Sequence, residues 1–470
     1  MEKLKPLLPF LLVFTAALLV IVFFFPRTHW FGGVHAPLDS EQIIARSRAL
    51  LDSLGINVAD RTQFAQLRPN RSLIRQTQER YGIERSNKLL RDSVPGFFWE
   101  VNWRQPKSLF SISSSKSGER DVEAKEVVDR LIGEVSFEFD TRGELRSFRR
   151  AISDTANLPF ISREEAHAFA EQFMRRFASN IAGTEDTSAS NLPPPTEPTE
   201  SSGGVKIQNS KRIQQRHRVD YEFRWTAPPA TMDDHLRVTV GTAGNLIAHF
   251  KAELEVPSQY TEDNTALAYT LALIVVYAVL IVVMAVLVFK RIRSYEIGFR
   301  GALLLGSISA VIMGVEFYFS IREQLGWEIL IPLVLGPLFI GGALVILWAA
   351  AESVARETWK DKYVPLDLLL NGHVFHSHVG ASVLKGFAFG AAAFALFLLG
   401  SGVSSQYTHL WISINSDDVL RVFDIFIPAL HVLTYSVFSV VFTFAFFLLF
   451  SVSMLRRYIR APWSFLGWVR

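Results

Sequence analysis

"PLLPFLLVFTAALLVIVFFF", residues 6–25, decides the fold class of this chain. The stretch carries no charge. At ~1.5 Å per residue a helix of that length crosses the ~30 Å hydrocarbon core of a bilayer. It ends in Phe23, Phe24, Phe25 and Pro26 without a small-residue cleavage pattern, so it reads as a retained anchor rather than a signal peptide. Further apolar runs occupy about 266–289, 301–320, 329–351, 387–403 and 424–453. Between the first two lies a long segment of ordinary soluble composition. The expectation is therefore an α-helical polytopic membrane protein of about six spans with one large α+β extramembrane domain. The parts are an anchor over 1–26, outer repeats over 27–152 and 153–264, and a five-span domain over 265–470.

Basic residues set the orientation. Lys3 and Lys5 precede the first run, Lys290, Arg291, Arg293 and Arg300 join the second and third, and Arg356, Lys360 and Lys362 follow the fourth. Arg456, Arg457 and Arg460 lie after the sixth, while the alternate loops hold only Arg322 and Arg421. Lys and Arg concentrate on the cytoplasmic side. Both termini are thus expected in the cytoplasm and residues 27–264 on the other side of the membrane. The net charge of +3 over 470 residues has this topological explanation, and no nucleic-acid partner is expected. With no cysteine in the chain, thiol catalysis, thiolate zinc sites and disulfides are excluded.

The outer domain carries a weak internal repeat. "LDSEQIIARSRALLDSLGI" (38–56) is a helical pattern with Asp39 or Ser40 as N-cap, followed later by "WEVNW" (99–103) and "EVSFEFDTRGELRSFRRAI" (134–152), strands that turn at Gly143. The second half has "ISREEAHAFAEQFMRRF" (161–177), with Ser162 and Glu165 at capping-box spacing, then "YEFRW" (221–225) and "LRVTVGTAGNLIAHFKAEL" (236–254), turning at Gly244. Alternation such as Val135, Phe137, Phe139 marks strands with one buried face. Two helix-plus-antiparallel-sheet copies, each sheet packing on its own helix, are expected. This layout resembles the PepSY-type module, and the resemblance implies a binding or sensing role with a peptide or protein ligand. "GTEDTSASNLPPPTEPTESSGG" (183–204) is too rich in Pro, Ser, Thr and Glu to fold and reads as a solvated insert. Glu164, Glu165 and His167 read as cap and solvent-face residues of the helix rather than a metal cluster.

Candidate chemistry in the membrane half is sparse. Glu316 and His431 stand in two different runs, and such residues are functional by default because charge in a span is costly. His373, His376 and His378 crowd a loop. Imidazoles at that spacing suit a divalent metal, but no carboxylate follows closely, so surface histidines and no cofactor are expected. "WAAAESVARETWKDKY" (348–363) puts Glu352 and Arg356 four apart on one helix face. With "DLLLNG" (367–372) and "GASVLKG" (380–386) it resembles the segment upstream of the catalytic core in long members of the CAAX-protease and bacteriocin-processing (CPBP) membrane family. That family's core uses Glu-Glu-x-x-x-Arg and Phe-x-x-x-His motifs. Here Ala351 stands where the leading glutamate belongs, and none of His373, His376, His378, His409 and His431 has a Phe four residues before it. The resemblance therefore implies a non-catalytic sensor or regulatory module equivalent to the front part of such a protein. The alternatives are an intramembrane endopeptidase using Glu352 with the loop histidines, Glu352 and Arg356 being half of the family's first motif, and a transporter-like protein hinted at by the glycines of "LGPLFIGGAL" (335–344). The partner common to all three is the lipid bilayer.

Overall fold

The computed structural model describes residues 6–58, 61–104, 134–154, 156–178, 206–215, 217–227, 235–257, 299–321, 330–359, 363–405 and 420–423, with isolated residues at 260–286, 407 and 432–453. Two compact units emerge. One comprises Phe25–Glu262 with Ser401–Asp424, the other Met1–Phe24, Asp263–Gly400 and Ile425–Arg470.

The first unit is built on strands β1 (Thr62–Pro69), β2 (Phe97–Arg104), β3 (Val135–Asp140), β4 (Leu145–Arg150), β5 (Lys206–Gln214), β6 (Val219–Ala227), β7 (Leu236–Ala243) and β8 (Leu246–Leu254). The expectation of two separate sheets is corrected: the strands form one eight-stranded antiparallel sheet in the order β1-β2-β3-β4-β8-β7-β6-β5. The halves join where β4 pairs with β8, with Ser147 opposite Lys251, Phe148 opposite Phe250 and Arg149 opposite His249. Each half ends in an edge strand with unpaired N–H and C=O groups, and pairing the two edges satisfies both.

The repeat itself is present within that sheet. Asp39 caps α2 (Ser40–Ser53), accepting from the Gln42 N–H at 2.8 Å while Gln42 returns a bond to the Asp39 N–H. Ser162 and Glu165 make the same reciprocal pair ahead of α4 (Arg163–Ala178). Both hairpin glycines adopt left-handed backbone, Gly143 at φ 84° and Gly244 at φ 53°. Each is also covered by the chain leading into its own helix, so a side chain would strike Leu38 at Gly143 and Leu158 at Gly244. The alternating residues Val135, Phe137, Phe139, Phe223, Val238, Val240 and Phe250 are buried on the face that carries the helices. There α2 packs on β1 and β2, and α4 on β6, β7 and β8. Trp103 Nε1 donates to Ser47 Oγ at 3.1 Å, pinning α2 to β2.

The first half has an addition for which the sequence shows no periodic signal: α3 (Arg71–Asp92) between β1 and β2, kinked at Gly82. Its buried residues include Gln76, Thr77, Gln78, Ser86 and Asn87. Asn87 Nδ2 donates to the carbonyls of Pro26 (3.0 Å) and His29 (2.8 Å). Leu420 is buried in this unit's core and Phe423 stacks on Phe31.

The second unit holds α5 (Phe299–Ile321), α6 (Leu330–Thr358), α7 (Val364–Leu370) and α8 (Ser377–Ser404), together with most of α1 (Leu8–Thr28). Among the described residues four helices are long and apolar enough to cross a membrane: α1 and α8 entire, Arg300–Tyr318 of α5 and Leu333–Ser353 of α6. The chain is thus a polytopic membrane protein with a sheet domain. Of the six expected spans, those at 266–289 and 424–453 lie almost wholly outside the described residues, as does the insert at 183–204. Helices α5 and α6 approach through small residues. A Cβ at Gly306 would lie 2.3 Å from Val345 and one at Gly341 2.7 Å from Ala310. Close backbone approach of this kind drives helix association where lipid removes the hydrophobic driving force. The glycine-rich stretch 335–344 is therefore an unbroken part of α6 used for packing, helical through Pro337.

Candidate functional site

Helix α6 continues past its apolar segment, and its last turns carry the residues singled out by sequence. Glu352 is only 8% exposed. Its Oε2 accepts from Trp348 Nε1 at 2.9 Å, one turn earlier, and its Oε1 accepts from Arg356 Nε at 2.7 Å, one turn later. The spacing of four that joins all three follows from the helix repeat. The remaining donors of Arg356 leave the helix. Nη1 donates to Asp367 Oδ2 at 3.0 Å and Nη2 to Asp367 Oδ1, a two-pronged pair that ties α6 to the short α7. The guanidinium also lies over the ring of Tyr363, 4.9 Å from its centroid.

Electrostatics follow from this arrangement. The hydrogen bonds to Asp367, ahead of those to Glu352, hold the Arg356 guanidinium charged above its ordinary range. The same contact holds the Asp367 carboxyl below the usual carboxylate range. Burial, reinforced by the Glu352 charge, pushes the Tyr363 phenol up to about 12, and its buried hydroxyl has no hydrogen-bond partner among the described residues. Beside the cluster lies a cavity of about 450 Å³ lined by Arg300, Leu304, Glu352, Asp367 and Asn371 among others. Gly301 keeps α5 close to it, since a Cβ there would come within 3.0 Å of Leu370 and 3.5 Å of Glu352 Oε2.

Glu352 and Arg356 are therefore brought together as their spacing implies, and sequence reasoning missed the partner that matters most. Asp367 is eleven residues beyond Arg356, outside any helical period, and a turn between α6 and α7 is what returns it. Tyr363 carries no such signal either, and Arg300 enters the sequence reading only as an orienting charge.

The histidine candidates do not converge. His373, His376 and His378 are exposed, and the His376 and His378 rings stack at 5.3 Å. His376 Nδ1 accepts from the His378 N–H at 3.3 Å, which caps α8. No group of three potential metal ligands occurs among the described residues. In the sheet-bearing unit His167 departs from its expected solvent position. Its ring packs against Phe223 (5.2 Å) and Trp225 (6.0 Å), half-buried between α4 and the sheet. Glu316 in α5 accepts a hydrogen bond from Thr434 Oγ1; His431 lies outside the described residues.

Comparison with protein-family models, with curated proteins and with solved structures finds no match for this chain.

Proposed function

We propose that this chain is a six-span sensor or regulatory module of a bacterial inner membrane, related to the non-catalytic front part of CPBP-type proteins, with a PepSY-like domain outside. The observation that carries this reading is the engagement of Glu352. Both of its oxygens accept hydrogen bonds from its own helix, and Arg356 turns its fork to Asp367. A general base needs a lone pair directed at water in reach of the scissile group. Here the carboxylate instead orients an arginine that fastens α7 to α6, which is the work of a structural clamp. That 27–264 and the loop between the fifth and sixth expected spans share one side of the membrane is supported by Leu420, which belongs to that unit's core, and by Phe423, which packs against it.

The cavity beside Glu352 favours a second reading, an intramembrane endopeptidase in which that space admits a peptide. Glu352→Gln separates the two. The module reading expects any membrane-peptide cleavage by the purified chain, measured on fluorogenic peptides in liposomes, to be unaltered by the substitution. A loss of about a hundredfold or more, the scale of a missing general base, would establish the peptidase instead. Cysteine accessibility at positions 3, 150 and 373 tests the topology, with labelling from outside expected at 150 alone.

A further inference from the structure

The helix-covered face of the outer unit opens where its two halves meet. Past the end of α2 and alongside α4, a cleft of about 320 Å³ reaches down to the β4–β8 junction. Phe148, Phe173 and Ile247 form its apolar surfaces, and Phe169, 39% exposed, belongs to its lip. Arg150 and Arg176 bring two guanidinium groups to it, and none of the described lining residues is acidic. Burial lowers the pKa of Arg150 with no carboxylate among the described residues to offset it. Beyond the cleft lining, the pKa of Arg61 is depressed by burial and then by the Arg150 charge, and its Nη1 is buried without a hydrogen-bond partner among the described residues. Two guanidinium groups with no acidic side chain among the described lining, set beside an apolar slot, suit an anion with an apolar body.

We propose that this cleft binds a single-chain amphiphilic carboxylate, its acyl tail on Phe148, Phe173 and Ile247 and its head at Arg150 and Arg176. The volume sets the size of the tail: at the ~30 Å³ taken by a water in its liquid, 320 Å³ accepts roughly ten methylene-sized groups. Such a volume falls at the lower end of small-molecule sites. An extended peptide is disfavoured by the sheet itself. Strand β4 is paired on both sides, with β3 and β8, and β8 with β4 and β7, so neither offers an edge for strand addition. This inference rests on the sensing role proposed for the outer domain and supplies its ligand class.

The test uses the full chain in lipid nanodiscs with a diazirine-bearing decanoate, photolysed and mapped by peptide mass spectrometry. Adducts are expected within 148–150, 169–176 and 246–247. Decanoate should compete, and decanol, with the same tail and no charge, should compete at least about tenfold less well, the factor one charge-assisted hydrogen bond supports. Arg150→Gln with Arg176→Gln should lower labelling by about the same factor, and Ile247→Trp, which fills the slot and leaves both arginines, should abolish it. Absence of adducts there, labelling indifferent to the arginines, or better competition by an apolar hexapeptide with a free carboxyl end overturns the proposal. Hydrogen exchange at residues 371–373, read in the same samples, separates the two layers. Cleft labelling without any change in that exchange upholds the site and counts against sensing, whereas missing adducts remove the site whatever the exchange does.

Discussion

Arg356→Lys probes the clamp most directly. Lysine keeps the charge and loses the fork. Of the three donor contacts that Arg356 makes, to Glu352 Oε1 and to both oxygens of Asp367, a single ammonium replaces about one, the contact to Glu352 on its own helix, so both that reach α7 are lost. A hydrogen bond to a charged group is worth ~1.5–3 kcal/mol. Asp367 is 45% exposed and Arg356 37%, so solvent screening reduces each lost contact to about 1 kcal/mol. The two together cost about 2 kcal/mol, or roughly 30-fold in the equilibrium for α7 leaving α6. Helix α7 is seven residues long, far below the ~12–15 at which a helix holds on its own in water, so its hydrogen bonds report that equilibrium. The amides of Asn371, Gly372 and His373, bonded to Asp367, Leu369 and Leu368, should exchange about 30-fold faster in the variant, while amides within α8 stay unchanged. Unaltered exchange at 371–373 would mean that the bilayer surface, and not the arginine, holds α7. Equal acceleration in α8 would mean that the substitution loosens the whole unit.

Three further outcomes follow from the same structure. Phe148→Ala at the junction of the halves removes a ring that is 1% exposed and 5.2 Å from Phe137, and should destabilise the outer unit by about 3–5 kcal/mol in chemical denaturation; a cost under about 1 kcal/mol would show that the halves do not share a core. Spectrophotometric titration of the phenols should find one tyrosine, absent in Tyr363→Phe, ionising only near pH 12. The clamp's stability contribution from that residue is complete below pH ~10 and is lost as pH rises through about 12. Burial holds His249 below the ordinary imidazole range, against the raising effect of Glu222 and with Arg149 and Arg224 lowering it further. Since the unfolded chain then takes up the proton first, outer-unit stability should fall as pH drops below ~6.5. Gly241→Ala puts a Cβ 2.0 Å from the His249 ring, so the imidazole must swing out, and the pH dependence should shrink with it; an unchanged titration curve would contradict that packing.

The sequence by itself determined what depends on local repetition. Twenty uncharged residues make a span, alternation in "VSFEF" makes a half-buried strand, and Asp39, Ser162, Gly143 and Gly244 mark caps and turns because each acts within a few residues of itself. Even the Glu352–Arg356 contact was legible, for the helix repeat alone brings them together. Tertiary structure decided whatever rests on hydrogen bonds or charges between distant segments. It merged two expected sheets into one through Phe148 and Phe250, 102 residues apart in the chain. It also inserted α3, whose buried face bears Gln76, Thr77, Ser86 and Asn87 and so lacks an apolar period to announce it. Asp367 became the second anchor of Arg356 by a turn that no spacing rule encodes, and Leu420 was returned from a loop to the core of the outer unit. Edges, forks and clefts of this kind form only when separate segments meet, and a one-dimensional period carries no record of that meeting.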